Sequence, residues 1–402
     1  MVDRLVGHGD LADIADATDS AILAAMSSRP IRGAVFRGAG RPLVIETLLL
    51  DDPAEGEVLV RMVASGVCHS DLHVVDGEWA RPTDVVLGHE GAAVVEALGP
   101  GVAERPEAAP LGVPGLRVGD LVVLAWTAPC GACVACLRGD AWLCTDPRGA
   151  GHRLSAADAR LHRADGTTVG AYSGIGTFGE RQVVAAEAAI TIDPHTPPQI
   201  AALIGCAVTT GFGAIVNTAA IQAGQSVVII GAGGVGLSAI MAAAAVGASP
   251  VIAIDAAPAK LELALRAGAT VVFGPDEAVA AVARLTGSGA DHVFEAIGLT
   301  ETVELAVDLT RPGGTTTLVG MTPQGRRASI DVYHFVEDGK RLLGSNYGSA
   351  VPARDFPRIA SMYLDGRLPL DLLVTELIGL GDLDPAFDAM RRRDGARRVV
   401  VY

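Results

Sequence analysis

The run Gly231-Ala232-Gly233-Gly234-Val235-Gly236 follows the apolar segment Val227–Ile230 and opens a small-residue segment, Gly234–Val246, with the texture of a helix. A Gly-x-Gly-x-x-Gly alone says little. Between a strand and a helix it reads as a dinucleotide-binding turn, which commits its part of the chain to a parallel sheet flanked by helices. Gly231 permits the tight turn, Gly233 lets backbone approach a pyrophosphate, and Gly236 lets helix and strand pack closely. The helix start at Gly234 and Val235 offers free N–H groups to the anion. Strand-like Val251–Ile254, helix-like Pro258–Ala267 and strand-like Val271–Phe273 continue a βαβαβ pattern, with further strands expected at His292–Ala296 and Thr315–Val319. Asp255 stands 19 residues beyond Gly236, where a carboxylate accepts from a ribose 2′-OH and repels a 2′-phosphate. Ala256 and Ala257 follow it, with no Arg to receive that phosphate, so NAD is favoured over NADP.

Composition fits that architecture. Half of the 402 residues are apolar and only 4% are aromatic, so the core must be built from Ala, Val, Leu and Ile, as buried parallel strands require. A formal net charge of −15 excludes the basic footprint of a nucleic-acid binder. The most apolar stretch, Leu237–Ile254, is broken by Ser238, Gly247, Ser249 and Pro250 and reads as a helix and a strand, so no membrane span is expected. The N-terminus carries Asp3, Asp10, Asp13, Asp16 and Asp19, which is wrong for a secretory or transit signal. Asp10–Met26 would suit an acidic helix, and the cytoplasm is the expected location.

Four of the six cysteines form Cys-x2-Cys-x2-Cys-x7-Cys: Cys130, Cys133, Cys136 and Cys144. Thiolates at that spacing on tight turns can surround one tetrahedral Zn²⁺ at about 2.3 Å, and four of them leave no open position, so the expected site is structural. Upstream, residues 31–124 are dense in Gly and Pro, with Val-rich runs at Val58–Val63, Ala92–Leu98 and Leu121–Ala125 that suggest an irregular β region. Asp146–Thr177 reads mostly as loop. The other two cysteines are Cys68, opening Cys68-His69-Ser70-Asp71-Leu72-His73, and Cys206; His89 stands in Gly88-His89-Glu90. Spacing alone does not bring such distant residues together.

The Cys-His-Ser-Asp segment, the Gly-His-Glu, the four-cysteine lobe and the later dinucleotide turn stand in an order that resembles the zinc-dependent medium-chain alcohol dehydrogenases, from about Ile31 to Tyr402. The resemblance implies an α/β protein with a GroES-like β-rich catalytic domain and a Rossmann doubly wound parallel-sheet domain. Residues 1–30 would be an extension, 31–208 with 345–402 the catalytic domain carrying a zinc lobe at about 126–146, and 209–344 the Rossmann domain. It makes Cys68, His89 and Cys206 ligands of a second, catalytic zinc with one open position. Asp71 would orient the His89 ring, and Glu90 would sit near the metal and assist ligand exchange. Ser70 would take the substrate hydroxyl proton and pass it by way of the nicotinamide ribose to His73. Around NAD it implies His69 and one of Arg397 and Arg398, with Arg398 favoured, against the pyrophosphate, Lys260 near the adenosine ribose, Thr210 and Val235 on the nicotinamide, and Val319 among the coenzyme contacts. Ala93 departs from the family pattern, which has Gly there.

By the same resemblance Trp79 and Trp126 line the substrate pocket and Met321 lies deeper, which would suit small primary alcohols or planar aromatic ones such as benzyl alcohol. The expected function is NAD-linked interconversion of primary alcohols and aldehydes. A dehydrogenase acting on a glutathione or mycothiol adduct of formaldehyde shares the scaffold, although Trp79 replaces the acidic residue of the glutathione-dependent class. A polyol dehydrogenase and a non-enzymatic relative of the quinone-reductase type fit less well. The long stretch between Cys144 and Phe178 resembles the dimeric branch, so a homodimer is expected.

Overall fold

The computed structural model describes residues 28–102, 115–145 and 159–402. The acidic segment expected to be helical, nearly all of the extension, and most of Asp146–Arg160 lie outside them.

The second half of the chain forms a six-stranded, fully parallel sheet. Its order is Val271–Phe273, Val251–Ile254, Val227–Ile230, Ala290–Glu295, Thr310–Leu318, Arg341–Gly344. The first strand therefore lies near the middle, and the order reverses beside it, which opens a crevice at the strands' carboxyl ends. Val227–Ile230 is buried along its whole length, as a strand covered on both faces must be. The final edge strand and two late strands, Val374–Ile378 and Arg397–Val401, carry too little pattern to be anticipated.

The first half is β-rich. Arg29–Phe36, Val44–Leu50, Leu161–His162, Thr168–Ala171 and Val85–Val86 close a small barrel. Asp146–Thr177 is thus not mostly loop where it is described: two short strands within it complete the barrel, each too brief to show an alternating pattern. A neighbouring, largely antiparallel sheet contains Glu57–Gly66, Glu90–Leu98 and Leu121–Leu124. The chain's last strand, Arg397–Val401, pairs antiparallel with Glu57–Gly66 and parallel with Val374–Ile378. C-terminal residues are thereby set beside Cys68.

Between the two halves runs a helical segment, Pro198–Thr218, apolar and long enough by length and composition to cross a membrane. It is instead a core helix, with 83% of its most apolar window buried. Leu203, Ile204 and Phe212 pack in one apolar cluster with Ile229, Leu237, Ile240 and Phe356, so both halves share a continuous core. Two of its turns, Ile204–Val208 and Ala214–Thr218, widen to π-helical geometry. Such widened turns recur at functional sites, and the first carries Cys206.

Candidate active site

Cys68 is the extended residue before helix His69–Val75, and its N–H reaches back to the Asp71 carboxylate at 3.4 Å. Asp71 is fully buried. Its other oxygen accepts from the Gly88 N–H at 3.2 Å and from His89 Nδ1 at 3.0 Å. Burial pushes the Asp71 carboxyl up, and His89 opposes that. With Nδ1 committed to Asp71, His89 Nε2 is a buried nitrogen with no protein partner. A ring nitrogen of His89, the sulfurs of Cys68 and Cys206 and a carboxylate oxygen of Glu90 all lie within 4.8 Å of one another. Two soft sulfurs and an imidazole nitrogen, the latter fixed by a carboxylate behind it, form a donor set that fits zinc with room for a fourth ligand. A hydrogen bond from Cys206 is the largest of the effects holding Cys68 well below the ordinary thiol range, while Cys68 and burial push Cys206 up.

Arg397 joins this cluster to the dinucleotide turn. Its guanidinium is buried, with Nη2 3.5 Å from both Cys68 Sγ and Glu90 Oε1. A Cβ on Gly234 would fall 2.5 Å from Arg397 Nε, so the second glycine of the Gly233-Gly234 pair leaves room for this arginine. Arg397 Nε and Glu90 Oε2 are both buried without protein partners. Burial pushes the Glu90 carboxyl up to about 8 against the pull of Arg397.

At the turn, a Cβ on Gly236 would lie 1.7 Å from the Gly231 carbonyl, so nothing larger than glycine fits where helix Gly234–Ala245 meets its strand. Asp255 follows strand Val251–Ile254, and its carboxylate accepts from the N–H of Ala232 at 2.8 Å and of Ala257 at 2.9 Å. It is held at the crevice, against the turn. Lys260 lies half-buried on helix Pro258–Arg266 and shares the electrostatic surroundings of His69 with Arg397. Thr210 is half-buried within the helical segment Pro198–Thr218, four residues past Cys206, and Val235 is half-buried on the first turn of helix Gly234–Ala245. Val319 lies just past the strand end at Leu318, its N–H bonded to the Glu295 carbonyl at 2.9 Å.

The sulfurs of Cys130, Cys133, Cys136 and Cys144 also lie within 4.8 Å of one another. Backbone N–H groups of Ala132 and Cys133 point at Cys130 Sγ, at 3.4 and 3.3 Å, and that of Cys130 points at Cys144 Sγ. Four converging sulfurs with backbone donors behind them fit a closed zinc site.

Comparison with known proteins agrees with this geometry. Residues 54–194 match the model of the alcohol dehydrogenase GroES-like domain, and residues 234–364 match that of the zinc-binding dehydrogenases. An NDMA-dependent alcohol dehydrogenase of Amycolatopsis methanolica is 35% identical over 379 residues, covering 92% of this chain and 98% of the relative. The chain belongs to the zinc-dependent medium-chain alcohol dehydrogenase family. An S-(hydroxymethyl)glutathione dehydrogenase of Synechocystis is 34% identical over 378 residues, with 92% and 99% coverage. Benzyl alcohol dehydrogenase from Acinetobacter calcoaceticus shares its structure at a TM-score of 0.83 and 30% identity, covering 93% of this chain and 99% of that one. An alcohol dehydrogenase zinc-binding domain protein from Burkholderia ambifaria gives 0.85 and 33% at the same coverage.

In this alcohol dehydrogenase, Ser70 stands on the first turn of helix His69–Val75, its hydroxyl 3.8 Å from Cys68 Sγ. His73, three residues on and so on the same helix face, stacks on Trp79 at 4.5 Å and pairs through Nδ1 with Glu78. Trp79 is buried, and its indole N–H donates to the Thr322 carbonyl at 3.4 Å, linking the β-rich half to the parallel sheet's loops. Trp126 packs 4.3 Å from Tyr347, whose hydroxyl donates to the Gly205 carbonyl at 2.6 Å beside Cys206.

Two expectations need correction. Arg398 does not face the dinucleotide turn: it pairs with Glu376 at 3.0 Å and Asp394 at 3.2 Å. Neighbours along a strand point to opposite faces, so the choice between Arg397 and Arg398 is all or nothing, and Arg397 is the residue at the site. Met321 does not lie deep. It is 58% exposed in the loop after Thr310–Leu318, because the strand ends before reaching it.

Sequence reasoning missed Tyr172, whose buried ring packs edge-on to His89 at 5.8 Å, and Tyr347. No local pattern marks either. Nor does the last strand's pattern separate Arg397 from Arg398, since Val399, in phase with one, and Val400, in phase with the other, are both buried.

Proposed function

We propose that this alcohol dehydrogenase is NAD-linked, holds two zinc ions per chain, and interconverts primary alcohols, aromatic ones included, with their aldehydes. The observation that carries the reading is Arg397, one guanidinium against both the dinucleotide turn and a sulfur of the buried Cys-His-Cys cluster. It sets an anion-binding group of the coenzyme crevice beside the metal ligands, as direct transfer between coenzyme and substrate demands. When bound, zinc supplies Lewis acidity that makes an alcohol hydroxyl easier to deprotonate, and the nicotinamide supplies the hydride acceptor.

The chain's own residues do the rest. Cys68, His89 and Cys206 hold one metal, with Asp71 fixing the His89 ring and Glu90 available beside it; Cys130, Cys133, Cys136 and Cys144 hold the other. Arg397, His69 and Lys260 receive the coenzyme's phosphates and adenosine side, and Asp255 its ribose. Ser70 takes the hydroxyl proton, and His73 releases it at the surface. Trp79 and Trp126 would line the substrate pocket, with Tyr172 edge-on to His89, and aromatic rings there would suit a planar substrate.

A homodimer in the cytoplasm completes the proposal. The edge strand Arg341–Gly344 and helix Val332–Glu337 expose Val332, Tyr333, Val336 and Leu342, an apolar edge that a second copy would cover.

The test is NADH formation followed by absorbance with NAD⁺ and, in turn, ethanol, longer primary alcohols, benzyl alcohol and a secondary alcohol. The expected result is turnover with primary alcohols, benzyl alcohol among the best. Turnover confined to formaldehyde plus glutathione or mycothiol would replace this substrate class with a thiol adduct.

A further inference from the structure

We propose that Glu78 is a positioning residue for His73: its carboxylate holds the imidazole in the tautomer with hydrogen on Nδ1, leaving Nε2 free to accept the proton leaving the substrate. The inference rests on the assignment of His73 to proton release.

The backbone itself creates the pairing. Helix His69–Val75 is capped by Asp76, and the chain turns through Gly77 at φ +78°. The Gly77 N–H donates to the Val74 carbonyl at 3.1 Å and the Glu78 N–H to the His73 carbonyl at 2.8 Å. These two bonds define a Schellman turn, which brings the second residue past the cap back over the third residue before it. Those two residues often make an apolar contact. Here they are Glu78 and His73, and the carboxylate takes the ring's Nδ1. Trp79, whose N–H also donates to the His73 carbonyl, stacks on the ring at 4.5 Å and 24°, and His69 meets its edge at 5.8 Å.

A ring so held has one nitrogen left. An imidazole whose Nδ1–H points at a carboxylate presents a lone pair at Nε2, and the carboxylate also stabilises the imidazolium formed when that lone pair takes a proton. The His73 side chain is 16% exposed and Glu78 41%, so the charge forms under cover, with its counter-charge at the water boundary. The proton balance is simple: Nε2 gains the proton and later loses it to water, Nδ1 keeps its own, and the carboxylate remains ionised.

The experiment uses the zinc-loaded, NAD-bound enzyme with ¹⁵N-labelled histidine, comparing wild type, Glu78→Gln, Glu78→Ala and His73→Gln. In wild type the His73 ring should give long-range ¹H–¹⁵N signals of the Nδ1–H tautomer, shifting toward the Nε2–H form in Glu78→Gln. With benzyl alcohol, both Glu78 variants should lower kcat about tenfold, less than removal of an acid–base group outright. KM for NAD⁺ should hold, and the solvent deuterium isotope effect should rise. Formate, filling the hole in Glu78→Ala, should restore part of kcat. An Nε2–H tautomer in wild type overturns the proposal, and so does an equal kcat drop with no formate rescue and no change in isotope effect, which marks a structural role. Full turnover in Glu78→Gln beside a slow His73→Gln overturns the role of Glu78 alone. Full turnover in His73→Gln removes the proton-release reading, and the proposal with it.

Discussion

The two sulfur-rich sites are built on opposite plans. The lobe draws its four sulfurs from Cys130 to Cys144, within one stretch of tight turns, and Cys130 and Cys133 remain partly exposed. The cleft draws Cys68, His89 and Cys206 from a helix start, a strand start and a π-helical turn, and all three are buried. Backbone N–H groups stand behind Cys130 and Cys144 in the lobe, whereas a buried carboxylate and a guanidinium stand behind His89 and Cys68 in the cleft. A local site supported by backbone needs only its ligands in sequence order. A site assembled from distant elements also needs its supporting side chains, because they alone fix orientation and charge.

That contrast breaks most visibly at Cys206. Cys206→Ser should lose one zinc per chain by atomic emission and lower turnover by on the order of 10³, the several kcal/mol that metal charge stabilisation supplies. Retained turnover with both zincs present would mean that the buried cluster is not the reaction centre. Next comes Asp71→Asn, which keeps the shape but removes the charge behind the His89 Nδ1 proton. Cleft zinc affinity, measured by competition with a chelator, should fall about 10–100-fold while the lobe keeps its metal. Equal loss from both sites would erase the distinction between them.

The same contrast explains what could be read from the chain. The lobe's cluster of sulfurs was legible because its cysteines are near neighbours in sequence, and the parallel sheet was legible because Val227–Ile230, Val251–Ile254 and Val271–Phe273 are continuous apolar runs separated by helical texture. The cleft became legible only through resemblance, since no periodicity links Cys68 to Cys206. What escaped depends on long-range pairing. Thr168–Ala171 is a strand because Val85–Val86 and Leu161–His162 lie beside it, and Arg397 is at the site because its strand pairs with Glu57–Gly66. Tyr172 and Tyr347 are ordinary core aromatics until the fold sets one against His89 and ties the other to Gly205. Glu78 is hidden in the same way, behind a turn whose bonds are visible only in three dimensions.

Smaller effects sharpen the comparison from the lobe's side. Cys136→Ser removes one of the four sulfurs, and because metal binding at a structural site contributes directly to folding, the thermal midpoint should fall by on the order of 5 °C. Turnover per remaining cleft zinc should change less than about twofold, since the four lobe cysteines form a cluster separate from Cys68, His89 and Cys206. A loss of turnover as large as that in Cys206→Ser would show that the lobe positions the active site as well as staples the fold.

The smallest expected effect is at Ala132. Its N–H points at Cys130 Sγ at 3.4 Å, but its side chain is exposed. Ala132→Ser keeps the donor and changes only a group in water, so stability should stay within about 0.5 kcal/mol and lobe zinc affinity should hold. Asp71→Asn also replaces a residue that does not itself ligate metal, yet there the supporting atom belongs to the side chain. If Ala132→Ser weakened the lobe's hold on zinc as Asp71→Asn weakens the cleft's, backbone support would not be what separates the two sites, and the lobe would have to rest on side-chain contacts of its own.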